Sequence, residues 1–228
     1  MNEAPSFKGL LRDNRWYLTA FTLALLLGGA ILLRIQTGDE IFFFSDRRSY
    51  WGDWFFKYFT QMGEGLAYVL ALAGLLFLRY RSALALPLLG FSVSVVSFLS
   101  KSFFAHDRPA AFFRKLGILD QIHLVDGVTL ANGSTSFPSG HTMSAFALYS
   151  FLAFCLPRKR WTALLLFAMA LLVGVSRIYL VQHFLQDVYL GAIMGILIAL
   201  IWYYLQFLPK AHWMDRNLLS GRGPLAEE

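Results

Sequence analysis

The stretch Ser176-Arg177-Ile178-Tyr179-Leu180-Val181-Gln182-His183-Phe184-Leu185-Gln186-Asp187 sits between two strongly apolar runs, residues 161–175 and 188–208. Apolar runs with few charges read as membrane helices, and ionisable side chains at their edge are expensive unless they do something. His183 and Asp187 are four apart. With the helix begun by His183 they share one face, and the carboxylate accepts a hydrogen bond from the imidazole. That bond fixes the ring tautomer and leaves the second nitrogen free. Arg177 offers a planar fork of donors suited to phosphate or carboxylate. The same residues also make a polar turn between two membrane helices, and the stretch alone does not choose between the two readings.

Two further stretches weigh on that choice. Phe137-Pro138-Ser139-Gly140-His141-Thr142 stands directly before the apolar run 143–156. Proline near a first turn fits a helix start, and serine is a good cap. The amides of Ser139, Gly140 and His141 are then expected to point at an anion, with Gly140 allowing close approach. In Lys101-Ser102-Phe103-Phe104-Ala105-His106-Asp107-Arg108-Pro109 the two cations are seven apart. On one helix that is two turns on one face, so Lys101 and Arg108 converge on one oxyanion.

The composition is 57% hydrophobic and 17% aromatic, and the mean hydropathy is +0.53. That is too apolar for an ordinary soluble domain and fits an all-α, polytopic membrane protein. Six transmembrane helices are expected, at 16–33, 66–78, 83–105, 143–156, 161–175 and 188–208, forming one domain over residues 1–228. The first run follows Lys8, Arg12 and Arg15, so a signal peptide is the alternative; its length and the absence of a small-residue cleavage site favour an uncleaved span. Residues 38–60 interleave aromatics with charges and read as a segment lying in the membrane interface. Aromatics with basic residues also bind single-stranded nucleic acid, but Asp39, Glu40, Asp46 and Asp53 argue against it. Glu64 falls at the outer end of the second span, solvated or paired there, with a supporting role behind the site residues as the alternative. Residues 110–137 form the longest polar connection, read as a rim or lid. His106 and His123 within or near it read as polar loop histidines, and Cys155 as a small apolar filler.

Six spans put both ends of the chain on one side. Lys8, Arg12, Arg15, Arg79, Arg81, Arg158, Lys159, Arg160, Lys210, Arg216 and Arg222 then share that side, with the acids Glu3, Asp13, Asp215, Glu227 and Glu228. Setting aside Lys101, Arg108 and Arg177, eleven Lys and Arg stand there against six opposite. The positive-inside rule makes the eleven-residue side cytoplasmic and turns all three polar stretches to the outer face.

Lys101 and Arg108-Pro109, then Pro138-Ser139-Gly140-His141, then Ser176-Arg177 with His183 and Asp187, resemble the three-part signature of the type-2 phosphatidic acid phosphatase superfamily. The signature region covers about residues 91–205. The resemblance implies phosphate-ester hydrolysis through a phosphohistidine, with no metal and no cofactor. It implies His183 as nucleophile, Asp187 as its partner and His141 as acid and base. Lys101, Arg108, Ser139, Gly140 and Arg177 would hold the phosphate. The substrate class implied is a lipid phosphate or pyrophosphate: undecaprenyl pyrophosphate, phosphatidate, phosphatidylglycerol phosphate or a lipid A phosphate. A lipid phosphotransferase using the same intermediate is the neighbouring reading, and a non-catalytic lipid-phosphate carrier is a reading from another class. The superfamily also contains vanadium haloperoxidases, which a membrane-embedded, lipid-admitting pocket disfavours. A metal site built from His141, His183 and Asp187 lacks a third nearby His or Cys. The expected setting is a bacterial inner membrane with the site facing the periplasm or exterior, among membrane lipids, without nucleic acid or an obligate protein partner.

Overall fold

Apolar segments leave the backbone few water partners, so its N–H and C=O groups pair within helices. The computed structural model describes residues 5–156 and 160–220, among which there are ten α-helices and no strands. Pro157, Arg158 and Lys159, the middle of an expected basic turn, lie outside the described residues. So do Glu3, Arg222, Glu227 and Glu228 of the charge count. The helices are α1 (Phe7–Asp13), α2 (Arg15–Leu32), α3 (Asp39–Ser45), α4 (Tyr50–Phe59), α5 (Gly65–Leu78), α6 (Tyr80–Phe104), α7 (Pro109–Lys115), α8 (Gly140–Cys155), α9 (Arg160–Tyr179) and α10 (Leu185–Leu205). A 3-10 turn, Thr60–Gly63, joins α4 to α5.

Among the described residues α2, α6, α9 and α10 are long and apolar enough to cross a membrane. The segment Tyr50–Gly63 with α5 makes a fifth candidate, bent by 55° at the break. The expected sixth, α8, has 16 residues, so at about 1.5 Å per residue it falls short of the roughly 30 Å hydrocarbon thickness. Its place in the bundle accounts for the shortness, because α8 is the central helix rather than a lipid-facing one. Met143, Ala147, Leu148, Ser150 and Phe151 are all fully buried, and a helix covered on every side belongs to the core.

α10 packs against α8 through glycine. A Cβ on Gly195 would stand 2.5 Å from the Met143 carbonyl oxygen and 2.9 Å from the Ala147 nitrogen; one on Gly191 would stand 2.7 Å from the Ser139 carbonyl oxygen. Small residues four apart let two helix backbones approach this closely. Further along α8, the Tyr17 hydroxyl of α2 lies 2.8 Å from Ser150 Oγ, and the Tyr17 ring meets Phe154 and Phe167 edge-on.

Two boundaries differ from the sequence expectation in ways that bear on the site. α9 runs on to Tyr179, so Ser176 and Arg177 belong to its last turn. α10 begins at Leu185, two residues after His183. Its start is fixed from a distance: Glu40 Oε1 on α3 accepts the Leu185 amide at 2.8 Å, which satisfies a donor the helix itself leaves unpaired.

The C-terminal ends of α6 and α9 and the N-terminal ends of α8 and α10 meet at one end of the bundle. At the other end the buried Arg81 grips the chain that follows α10. Its guanidinium donates to the carbonyls of Gln206 and Pro209 and pairs with Asp215 at 3.0 Å. The connection between α6 and α8 lies over the first end and is pinned there. Arg48 Nε donates to the His123 carbonyl at 2.6 Å, Lys57 Nζ to the Asp126 carbonyl at 2.7 Å, and Gln182 Nε2 to the Thr129 carbonyl at 3.0 Å. α4 turns Tyr50, Trp51, Trp54 and Tyr58 outward, while Phe56 packs on Tyr179 of α9. That division suits a helix lying in the membrane interface.

Candidate active site

The site forms where those four helix ends meet. Val181 adopts a left-handed backbone, φ 57°, which is rare for a β-branched residue and marks a turn held by its surroundings. The turn folds back onto the end of α9, whose Arg177 carbonyl accepts the amides of Gln182 and His183 at 2.9 and 3.2 Å. His183 thereby comes to rest with 1% of its surface exposed.

Asp187 is the third residue of α10, and its Oδ2 accepts the Phe184 amide at 3.0 Å. The same oxygen accepts Nδ1–H of His183 at 3.2 Å and the hydroxyl of Ser136. The expectation of one shared helix face is therefore corrected: His183 precedes the helix, and the contact is made by a carboxylate reaching back over the helix start. The tautomer implied is the expected one, with Nδ1 committed to Asp187 and Nε2 left over. Burial pushes the His183 imidazole down to about 4; Asp187 works against that shift, and Arg177 and Arg108 work with it. The ring is neutral in the resting protein.

Ser139 caps α8, its Oγ accepting the Thr142 amide at 3.4 Å and the Thr142 hydroxyl at 2.9 Å. Its own amide donates to the Asp187 carbonyl at 3.0 Å. Of the three amides expected to face an anion, Ser139's is thus already engaged, because the α8 start is tied to α10 through it. Lys101 reaches this helix start: a Cβ on Gly140 would lie 3.4 Å from Lys101 Nζ and 3.0 Å from Ser97 Oγ.

Lys101, Arg108 and Arg177 converge closely enough to act electrostatically on one another. They do not do so as two turns of one helix. α6 ends at Phe104, Ala105 takes a left-handed turn at φ 47°, and Arg108 arrives as the cap of α7. Its amide donates to the Gly133 carbonyl at 2.9 Å, and its Nη1 to the Gln182 carbonyl at 3.3 Å. Burial pulls the Arg108 guanidinium below its ordinary value, with Asp187 offsetting part of the shift. Arg177 is 7% exposed. Its Nη1 donates to Thr60 Oγ1 at 2.8 Å, while its Nε is buried without a protein partner among the described residues. A buried donor left over on a guanidinium suits an arriving oxyanion.

His141 follows Gly140 in the first turn of α8, with its Nε2 2.6 Å from Glu64 Oε1. Ser136 and Thr60 are side chains at the site that the sequence did not single out, and Glu64 is one it left between a solvated helix end and a supporting role. They join Asp187, Arg177 and His141 across 51, 117 and 77 residues of chain, and the linear pattern carries no mark of such pairings. His106 and His123 stay outside. The exposed His106 ring packs on Phe137, and His123 is a peg between Arg48 and Ser45. Among the described residues no three His, Cys, Asp or Glu side chains gather as metal ligands.

A buried neutral histidine on a carboxylate, three converging cations and a capped helix start make a site suited to phosphate esters. The chain belongs to the PAP2 superfamily, whose sequence model its residues 65–210 match. It is 31% identical over 106 residues to the lipid A 4'-phosphatase of Bacteroides thetaiotaomicron, covering 46% of each chain. It is 38% identical over 73 residues to phosphatidylglycerophosphatase B of Bacillus subtilis, covering 28% of this chain and 36% of that one. The matched region spans less than half the length of either curated relative. Among solved structures it resembles LpxE of Aquifex aeolicus, with a TM-score of 0.61 and 28% identity over 73% of this chain and 93% of that one. It shares its fold with a PAP2-type phosphatidylglycerolphosphate phosphatase of Bacillus subtilis, with a TM-score of 0.59 and 24% identity over 81% and 92% of the two chains.

Proposed function

We propose that this chain is an integral membrane lipid phosphatase that hydrolyses a phosphate monoester or pyrophosphate of a lipid at the outer face of the membrane. The observation that carries the reading is the buried His183 tied through Nδ1 to Asp187 beside three cations. Nε2 attacks phosphorus in line, the P–N bond forms as the bond to the lipid oxygen breaks, and Asp187 stabilises the imidazolium. Lys101, Arg108 and Arg177, with Ser139 and the Gly140 amide, hold the phosphoryl oxygens and meet the charge that grows in the transition state. His141 protonates the leaving oxygen, then takes a proton from the water that opens the phosphohistidine. A groove of about 350 Å³ between α5, α6 and α8, lined by Tyr68, Gly90, Ser94 and His141 among others, receives the lipid part. No metal takes part, because the three cations do the electrostatic work.

The relatives support the substrate class by their names: one acts on lipid A, one on phosphatidylglycerophosphate, and an Arabidopsis thaliana protein 39% identical over 106 residues is a lipid phosphate phosphatase. α8 counts as the sixth span in this reading, and the eleven-to-six charge distribution makes the far end cytoplasmic in a bacterial inner membrane. The test is phosphate release by purified protein in detergent, with chelator present, from undecaprenyl pyrophosphate, phosphatidate, phosphatidylglycerol phosphate and lipid A. Free phosphate from one of them, blocked by orthovanadate, is the expected result. A new phosphoester instead of free phosphate would make the chain a phosphotransferase. No turnover of any would favour a carrier, and activity that needs added zinc or magnesium would overturn the metal-free mechanism.

A further inference from the structure

Glu64 has no place in the three-part signature, and the steps above make no use of it. It joins the 3-10 turn to α5 between Gly63 and Gly65. The backbone there is pressed against α8 and α9: a Cβ on Gly63 would lie 3.0 Å from the His141 carbonyl oxygen and 2.8 Å from Val173 Cγ1. That contact delivers the Glu64 carboxylate to Nε2 of His141 at 2.6 Å, with the two side chains 50% and 32% exposed. The other charged groups acting on this ring are Arg177 of α9 and Lys101 of α6, both cations. A protonated His141 therefore stands among positive charges, and Glu64 is the carboxylate that faces it. Both residues line the groove assigned to the lipid part of the substrate.

We propose that Glu64 is the positioning residue of His141. It accepts a hydrogen bond from Nε2–H, sets the tautomer and leaves Nδ1 for proton transfer. The proposal rests on the phosphohistidine reading above. In the first step Nδ1 of the doubly protonated ring gives its proton to the lipid oxygen as that oxygen leaves phosphorus and His183 Nε2 bonds to it. His141 is then neutral, its Nε2–H still on Glu64. In the second step water bonds to phosphorus, the P–N bond breaks, and the water proton passes to Nδ1. The site thus holds two imidazole–carboxylate pairs: a buried one for the nucleophile and a half-exposed one for the proton. An exposed ion pair contributes little to stability, so the effect of Glu64 is on rate.

Glu64→Gln in the full-length protein in detergent tests this. Phosphate release from the preferred lipid monoester should fall by about tenfold or more, within the range that general acid–base catalysis supplies. With para-nitrophenyl phosphate, whose leaving group needs no proton, phosphoenzyme formation should fall much less, and the phosphoenzyme should accumulate under rapid quench. Glu64→Asp should recover part of the loss. In a His141→Ala background, Glu64→Gln should add less than about twofold, because the two residues act as one unit. Equal losses on both substrates, or losses that multiply in the double variant, would make Glu64 a structural or substrate-binding residue and overturn the proposal. A wild-type protein that forms phosphoenzyme while Glu64→Gln turns over at its rate defeats Glu64 alone. A wild-type protein that forms none defeats the underlying mechanism as well.

Discussion

Oδ2 of Asp187 takes three donors at once, from the Phe184 amide, the His183 ring and the Ser136 hydroxyl. A carboxylate held that way cannot turn, and neither can the imidazole it holds. The division of labour proposed for the two histidines is argued from their surroundings. His183→Ala is expected to abolish the covalent phosphoenzyme, and Asp187→Asn to keep the fold while slowing its formation severely. His141→Ala leaves the nucleophile in place, so an activated aryl phosphate should still load the enzyme and the phosphoenzyme should build up. Phosphate counted on the protein after alkaline quench reads all three; label persisting in His183→Ala would reverse the roles. Burial of the same histidine also couples folding to pH. Its folded value, about 4, lies below the ordinary imidazole value of 6.5. Between those two values the unfolded chain binds the extra proton, so stability rises with pH across that window. The contribution is complete above about 6.5 and is lost on acidification through about 4. Melting temperature in detergent should fall over that interval, and His183→Gln should show a shallower fall.

The helices act as the frame that sets these distances. α8 carries Ser139, Gly140 and His141, α10 carries Asp187, and Gly191 and Gly195 hold the two backbones together. The atoms nearest a Cβ at Gly195 include backbone of α8, which cannot rotate aside as a side chain can. Gly195→Ala is therefore expected to destabilise by about 1–3 kcal/mol through overpacking, and to lower phosphate release by moving the α10 start away from the α8 start. Gly74→Ala serves as the comparison, since a Cβ there meets nothing within 4 Å. Scanning calorimetry with a turnover assay on both variants checks this; equal melting temperatures would show that α10 slides freely. The broken segment from α4 to α5 has its own task. Its 55° bend lays the aromatic face of α4 outward and brings Thr60 and Glu64 to Arg177 and His141.

For the whole molecule, the alternation of α2, α5, α6, α8, α9 and α10 gathers every site residue at one end and the Arg81 grip at the other. Which end faces out rests on the Lys and Arg distribution. Ser134 is exposed in the connection over the site, and Ser134→Cys should react with an impermeant thiol reagent added to intact cells. Cys155 lies in the last turn of α8, near the opposite end, and a Cys155→Ser background removes its signal. Labelling that appears only after lysis would reverse the orientation and move the substrate to the other leaflet.

By itself the sequence determined that this is a helical, membrane-type chain, and it singled out the candidate site residues. It could do so because charges in apolar surroundings are costly, and Lys101 with Arg108, the Pro138-Ser139-Gly140-His141 turn, and Arg177 with His183 and Asp187 stand out against 57% hydrophobic residues. It also set apart residues 38–60, whose aromatics alternate with charges. Only the tertiary structure decided how those residues meet. Lys101 and Arg108 look like two turns of one helix but converge across a break at Ala105; His183 and Asp187 look like helix neighbours but meet over a helix start. Ser136, Thr60 and Glu64 look like any loop or interface residues until folding sets them against their partners. Periodicity speaks of neighbours on one element, whereas a hydrogen bond across 51 to 117 residues is fixed by how helices pack, among them α8 and α10, which two glycines let touch.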